Sequence, residues 1–130
     1  MKLFIAHKVT GEEPKELEQT MKKIGKSLEK AGHNYYCTFL NNKTKGKSKG
    51  EILSNALEEM DKCDSILILA NSNDKSEGTL MEVGYAIAKE KRIILALKAG
   101  VETRIADGTA HEIINFKKIE DLCPQLELIR

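Results

Sequence analysis

Ser65-Ile66-Leu67-Ile68-Leu69-Ala70 and Arg92-Ile93-Ile94-Leu95-Ala96-Leu97 are the stretches whose reading decides the fold. Both are continuously apolar, with no alternation of apolar and polar positions. A strand of that kind is buried on both faces, as parallel strands beneath helices are. Between them, Thr79 to Lys89 carries Leu80, Val83, Gly84 and Ile87 at helical spacing. Strand, helix and strand in that order predict a parallel crossover unit.

Working outward, the same alternation covers the chain. Leu3 to Ala6 is a short apolar run that reads as a first strand. Gly11 and Pro14 punctuate it, and Pro14 suits the first turn of a helix, where its missing N–H would be unpaired anyway. From Lys15 to Ala31 one apolar stripe, Leu17, Met21, Ile24 and Leu28, runs along a charged helix that Gly32 ends as a C-terminal cap. Asn34 to Leu40 is β-branched and aromatic and reads as a second strand. Asn41 to Gly50 is a loop with Lys43, Lys45, Lys47 and Lys49, and a helix is expected from Glu51 to Lys62. Ile113 to Phe116 supplies a last strand, followed by a helix from about Glu120. The prediction is one α/β domain with a mostly parallel five-stranded sheet flanked by helices. Ligands of such sheets bind past the carboxyl ends of the strands, so His7–Gly11, Asn41–Gly50, Asn71–Gly78 and Lys98–Thr109 are the segments to search.

Composition narrows the function. The chain has 130 residues, 41% hydrophobic and 32% charged, an ordinary soluble balance for one domain. Lys plus Arg number 21 against 20 acids, so the net charge of +1 argues against a nucleic-acid partner. The absence of Trp, with only 3 Phe and 3 Tyr, also leaves no aromatic platform for stacking bases of a single strand. No apolar run approaches the roughly 20 residues of a membrane span, and Met1 to Ala6 lacks the length of a secretory apolar region. Cys37, Cys63 and Cys123 are scattered in apolar or helical contexts and read as reduced thiols, which places the chain in the cytoplasm. His7, His33 and His111 are equally dispersed, so no metal site is expected. Neither Gly-x-Gly-x-x-Gly nor a phosphate-loop Gly-Lys-Ser/Thr occurs. A response-regulator site would need clustered acids after strand one and an Asp after strand three, where this chain has His7-Lys8 and Asn71.

The chemistry concentrates between Asn71 and Ala88. A polar loop, Asn71 to Gly78, leads into Thr79-Leu80-Met81-Glu82. Thr-x-x-Glu reads as a capping box, with Glu82 reaching back to the helix start. A carboxylate in a first helical turn is also expected to stay ionised in the helix dipole, and facing a cleft it can serve as a nucleophile.

These residues resemble a known family. Asp64 to Ala70, then Ser76-Glu77-Gly78-Thr79-Leu80-Met81-Glu82-Val83-Gly84-Tyr85-Ala86, then Lys91-Arg92-Ile93-Ile94 is similar to the nucleoside 2-deoxyribosyltransferase superfamily, which includes 2′-deoxynucleoside 5′-monophosphate N-hydrolases. The overlap is continuous from Asp64 to Leu97. The resemblance implies a flavodoxin-like domain that acts on the N-glycosidic bond of a nucleoside or nucleotide. Glu82 would match the nucleophile that attacks the anomeric carbon, and a second base or water would resolve the glycosyl-enzyme, with no metal or cofactor. Ser76 would match a hydroxyl on the sugar or phosphate side, and Gly78 either admits the ligand to the backbone or makes a turn. His7, Lys8 and Gly11 follow strand one, where ligand contacts are expected, and Lys8 offers a charge for a phosphate. The Lys43–Lys49 run either steers an anionic nucleotide or is a solvated loop, and Asp107-Gly108-Thr109 is first a turn signal.

The chain departs from the family pattern at three places, one being His7-Lys8-Val9-Thr10-Gly11 where the monophosphate hydrolases have a Gly-Ser-Ile-Arg-Gly-like phosphate loop with its serine. Phe4 stands where the monophosphate hydrolases have a tyrosine, and Ala56 where they have an aspartate, with Asn55 and Glu59 as candidate substitutes. The alternative reading is therefore a nucleotide-binding or sensing relative without turnover, and behind it an N-glycosidase that cleaves NAD. The resemblance also implies a homo-oligomer, a dimer being favoured, because relatives complete their sites with a neighbouring subunit.

Overall fold

The computed structural model describes residues 1–41, 44–103, 105 and 108–130. Five parallel strands form one sheet in the order β2-β1-β3-β4-β5, with β1 at Lys2–His7, β2 at Asn34–Tyr36, β3 at Ser65–Ala70, β4 at Arg92–Lys98 and β5 at Glu112–Phe116. Four helices connect them: α1 at Pro14–Lys30, α2 at Lys49–Asp61, α3 at Glu77–Ala88 and α4 at Ile119–Leu126. The sequence expectation of an α/β domain with a five-stranded, mostly parallel sheet holds, and every pairing is parallel. Among the described residues no helix is long and apolar enough to cross a membrane.

The double-sided burial of the central strands explains the layering. Leu3 and Ile5 of β1, Leu67 and Leu69 of β3, and Ile94 and Ala96 of β4 pack with Leu17, Met21, Ile24 and Leu28 of α1 and with Leu122 and Leu126 of α4. Phe4 and Ala6, Ile66 and Ile68, and Ile93 and Leu95 point the other way, to Ala56 and Met60 of α2 and Val83 and Ala86 of α3. Alternation along a strand that is apolar throughout feeds both cores. The order places the switch point between β1 and β3, because the chain leaves β1 for β2 on one side and returns to β3 on the other.

Local signals set the boundaries, and several differ from the sequence reading. α1 begins at Pro14 as expected, capped by Glu13, whose carboxylate accepts from the amides of Lys15 and Glu16 at 3.2 and 2.8 Å. It ends in a Schellman-type turn: Gly32 has φ +86°, and the His33 amide donates to the Leu28 carbonyl at 3.0 Å. β2 stops at Tyr36 rather than Leu40, because Phe39–Asn41 turns into a short 3-10 helix. That turn carries Phe39 back against the α1 side of the core. α2 starts at Lys49, before the expected Glu51, because Ser48 and Glu51 form a reciprocal capping box at 3.2 and 3.1 Å.

Gly25 lies in the middle of α1, where glycine ordinarily weakens a helix. A Cβ there would run into the ring of Tyr35 on β2, so the glycine is required by close packing. Gly25→Ala is expected to destabilise the protein by about 1–2 kcal/mol in denaturant titration, overpacking outweighing the roughly 1 kcal/mol helix-propensity gain. A more stable Ala variant would show that Tyr35 is free to move aside.

Candidate active site

The carboxyl ends of β1, β3 and β4 meet as the sequence reading expects. Lys8, just past β1, extends its ammonium to Asp74 in the loop after β3, 2.9 Å away, with Glu12 at 3.8 Å. The hydrogen bond from Lys8 raises the lysine's affinity for its proton and lowers that of Asp74. Gly11 has φ +82°, and a Cβ on it would lie 3.4 Å from the Lys8 ammonium. The loop after β4 joins this group, since the Glu102 amide donates to Asn73 Oδ1 at 2.8 Å. Lys8, Asn71, Ser72, Ser76, Thr79 and Thr103 line part of a small pocket of about 60 Å³. Ligand pockets usually span about 300–1,000 Å³, so this one accepts a single small group of a larger ligand. A wider concavity of about 400 Å³ lies around Glu29, His33 and Tyr35 at the start of β2, away from every candidate residue.

Ser76 is the N-cap of α3: its Oγ accepts from the Thr79 amide at 3.4 Å and donates to Thr79 Oγ1 at 2.8 Å. This corrects the expected capping box. Because Ser76 starts the helix, α3 begins at Glu77, ahead of Thr79, and Glu82 lies beyond the first turn with no part in the cap. The expectation that the helix dipole keeps Glu82 ionised is also overturned. Burial pushes its carboxyl up to about 8, with no compensating charge or hydrogen bond. Among the described residues no donor reaches the Glu82 carboxyl.

The surroundings of Glu82 account for that. Its neighbours in sequence, Val83 and Tyr85, pack with Phe4, Ala6, Tyr36, Ala56 and Met60 in one apolar cluster. Phe4 and Ala56, two of the departures from the family pattern, are thus an aromatic ring and a methyl group in the apolar layer that the sheet shares with α2 and α3. The Tyr36 ring stacks on Phe4, centroids 5.8 Å apart. Burial raises the phenol's pKa, and the carboxylates of Glu59 and Glu82 add to the rise. Tyr36 therefore belongs to the surroundings of Glu82. In sequence Tyr36 is legible only as part of a strand, and its place here depends on the β1–β2 register that sets it beside Phe4.

The remaining candidates are placed differently. His7 is 8% exposed and turns to the α1 side of the sheet. Its Nδ1 donates to the Lys8 carbonyl at 3.0 Å, leaving Nε2 to accept from the Cys37 thiol at 3.4 Å, and the ring meets Phe39 edge-on. Burial lowers the histidine's pKa and raises that of the thiol, a neutral packed pair. Gly78 is exposed, with nothing within 4 Å of a Cβ. The structure brings Lys8, Gly11 and Ser76 together, and Glu82, one turn after the pocket-lining Thr79 on α3, is not among the residues that line the pocket itself. Lys43 and Asp107 lie outside the described residues.

Comparison with known proteins places this geometry. A model of the nucleoside 2-deoxyribosyltransferase family matches residues 5–119. No curated protein matches in sequence. Among solved structures, the CMP N-glycosidase BcmB of Clostridium botulinum superimposes with a TM-score of 0.70 at 19% identity, covering 99% of this chain and 100% of that one. The 2-deoxyribosyltransferase of Bacillus psychrosaccharolyticus gives 0.71 at 19% identity, covering 100% and 93%. A conserved protein from Enterococcus faecalis V583 gives 0.65 at 14% identity, covering 98% and 97%. Identities this low speak for the fold, whereas the family match spans nearly the whole α/β unit: the chain belongs to the nucleoside 2-deoxyribosyltransferase family.

Proposed function

We propose that this protein cleaves or transfers at the N-glycosidic bond of a deoxynucleoside, nucleoside or 5′-monophosphate, with Glu82 as nucleophile. The observation that carries the reading is a half-buried carboxyl on α3, its pKa raised by desolvation and without a hydrogen-bond partner among the described residues, in a chain of this family. An oxygen of ionised Glu82 attacks the anomeric carbon, and the bonding pair of the N-glycosidic bond leaves with the base, which takes up a proton. Water or a second base then attacks the same carbon from the opposite face and returns the carboxylate, the two displacements giving net retention. Lys8 and Ser76, which share the small pocket, are the groups proposed for the phosphate or sugar end of the ligand. A phosphate would replace Asp74 as the partner of the Lys8 ammonium.

The apolar setting has a kinetic consequence. With its pKa at about 8, Glu82 is mostly protonated at neutral pH, and only the ionised form can attack. A nucleotide-binding protein without turnover is the second reading, favoured by Phe4 and Ala56 lying in the apolar layer beside α3.

Free base released from a panel of ribo- and deoxyribonucleosides and their 5′-monophosphates, with NAD included, is the deciding assay. Glu82→Gln is expected to lower turnover by at least about 1,000-fold while the fold is kept. Tight binding of a nucleotide with no base released across the panel would establish the second reading instead, and nicotinamide released from NAD would redirect the substrate. For the wild type, kcat/KM should rise about tenfold per pH unit up to about pH 8 and level off above it. A flat profile from pH 6 to 9 would remove Glu82 from that role.

Stability should move the other way. The folded pKa lies above the ordinary value of 4.5, so the protonated form's contribution is complete below pH 4.5 and is lost as pH rises to about 8. The melting-temperature advantage of Glu82→Gln over wild type is therefore expected to grow across that window and then stay constant. Lys8→Met should raise KM for a 5′-monophosphate by about tenfold or more and leave the nucleoside's KM unchanged. Equal effects on both substrates would take Lys8 off the phosphate.

A further inference from the structure

The pocket past β1, β3 and β4 holds more acid than base. Among its described lining residues Lys8 is the cation, while Asp74 and Glu102 are acids. Glu12 adds a further carboxylate, 3.8 Å from the Lys8 ammonium. The Lys8 side chain is only 14% exposed, whereas that of Asp74, 2.9 Å from the ammonium, is 74% exposed. The Asp74 carboxylate thus lies on the solvent side of the cation. Its loop holds it there. The Asp74 amide donates to Ser72 Oγ at 3.1 Å, and the preceding Asn73 accepts from the Glu102 amide of the next loop at 2.8 Å. Two loops together therefore keep a carboxylate where the anion of a ligand would have to sit.

We propose that Asp74 is a specificity-determining residue that makes this site select nucleosides over their 5′-monophosphates. This rests on the reading above, in which Lys8 and Ser76 take the sugar or phosphate end of the ligand. A 5′-phosphate carries a charge of about −1.5 to −2 at neutral pH. To reach Lys8 it must displace Asp74 and then stand beside the displaced carboxylate, with Glu12 and Glu102 close to the same place. An uncharged 5′-hydroxyl leaves the Lys8–Asp74 pair intact and meets no repulsion. Two effects therefore add against the phosphate. A half-exposed ion pair is weak, so breaking it lowers affinity only a few-fold. Repulsion between the phosphate and a carboxylate a few ångström away, at the protein surface, contributes a similar factor.

The test is kcat/KM for one nucleoside and for its 5′-monophosphate, from base release at matched ionic strength, with dissociation constants from isothermal titration beside it. The wild type is expected to favour the nucleoside. Asp74→Asn should raise both kcat/KM and affinity for the 5′-monophosphate about tenfold and keep the nucleoside within about twofold. In a Lys8→Met background the same substitution should gain only about threefold, because the repulsion is relieved and no ammonium is released. Glu120→Gln, an exposed acid on α4 outside the pocket, should leave the ratio unchanged. Asp74→Ser gives the same readout if the Asn variant folds poorly. Base release with an unchanged ratio in Asp74→Asn overturns the role of Asp74 and leaves the glycosidic reading standing. Tenfold tighter binding of the 5′-monophosphate with no base released by any variant keeps that role and removes the glycosidic reading. A wild type that prefers the 5′-monophosphate, or binds neither ligand, overturns the selection by Asp74 outright.

Discussion

Burial of β1, β3 and β4 on both faces is the constraint from which the rest of the molecule follows. Strands carrying only apolar side chains cannot leave either face to water, so helices must lie above and below them. α1 and α4 take one side, α2 and α3 the other. Parallel pairing then brings the loops after β1, β3 and β4 to one end of the sheet, and the contact of Lys8 with Asp74 is a direct result. Outer strands are under weaker demands. β2 pairs through only 3 residues, and β5 keeps one face half open.

Glu82 shows how an apolar layer governs a polar group. A carboxyl on a helix is cheap to hold in water and expensive to bury without donors. Here Phe4 and Ala56 lie in that layer at the positions where the family resemblance expects a phenol and a carboxylate, and the tyrosine ring stacked on Phe4, Tyr36, comes from the neighbouring strand. The acid therefore holds its proton well above the ordinary carboxylate range. The proton affinity of Glu82 thus becomes part of the proposed chemistry, because the nucleophile must lose its proton before it can act.

The ends of elements were the least legible features. Thr79-x-x-Glu82 and Ser48-x-x-Glu51 have the same pattern, and only the second forms a capping box. Ser76 lies just ahead of Thr79 and takes over the cap, a competition that spacing alone does not resolve. The sequence pattern puts His7 at the mouth of the sheet. The strand's alternation instead turns it inward, where Cys37 and the Lys8 carbonyl occupy both ring nitrogens.

By itself, the sequence determined the layered α/β architecture, the parallel sense of the central strands, and the loops that gather at their carboxyl ends. Continuous apolar runs and helical spacing are local properties, and each allows few ways of being buried. Tertiary structure decided which side chains meet. It set Tyr36 on Phe4, brought Lys8 to Asp74 and Ser76 beside one pocket, and left Met81 and Ile87 of α3 half exposed. Those outcomes depend on register, on the direction of each side chain, and on which helix lies over which strand. Residues far apart in the chain fix these relations jointly, so no single stretch of sequence contains them.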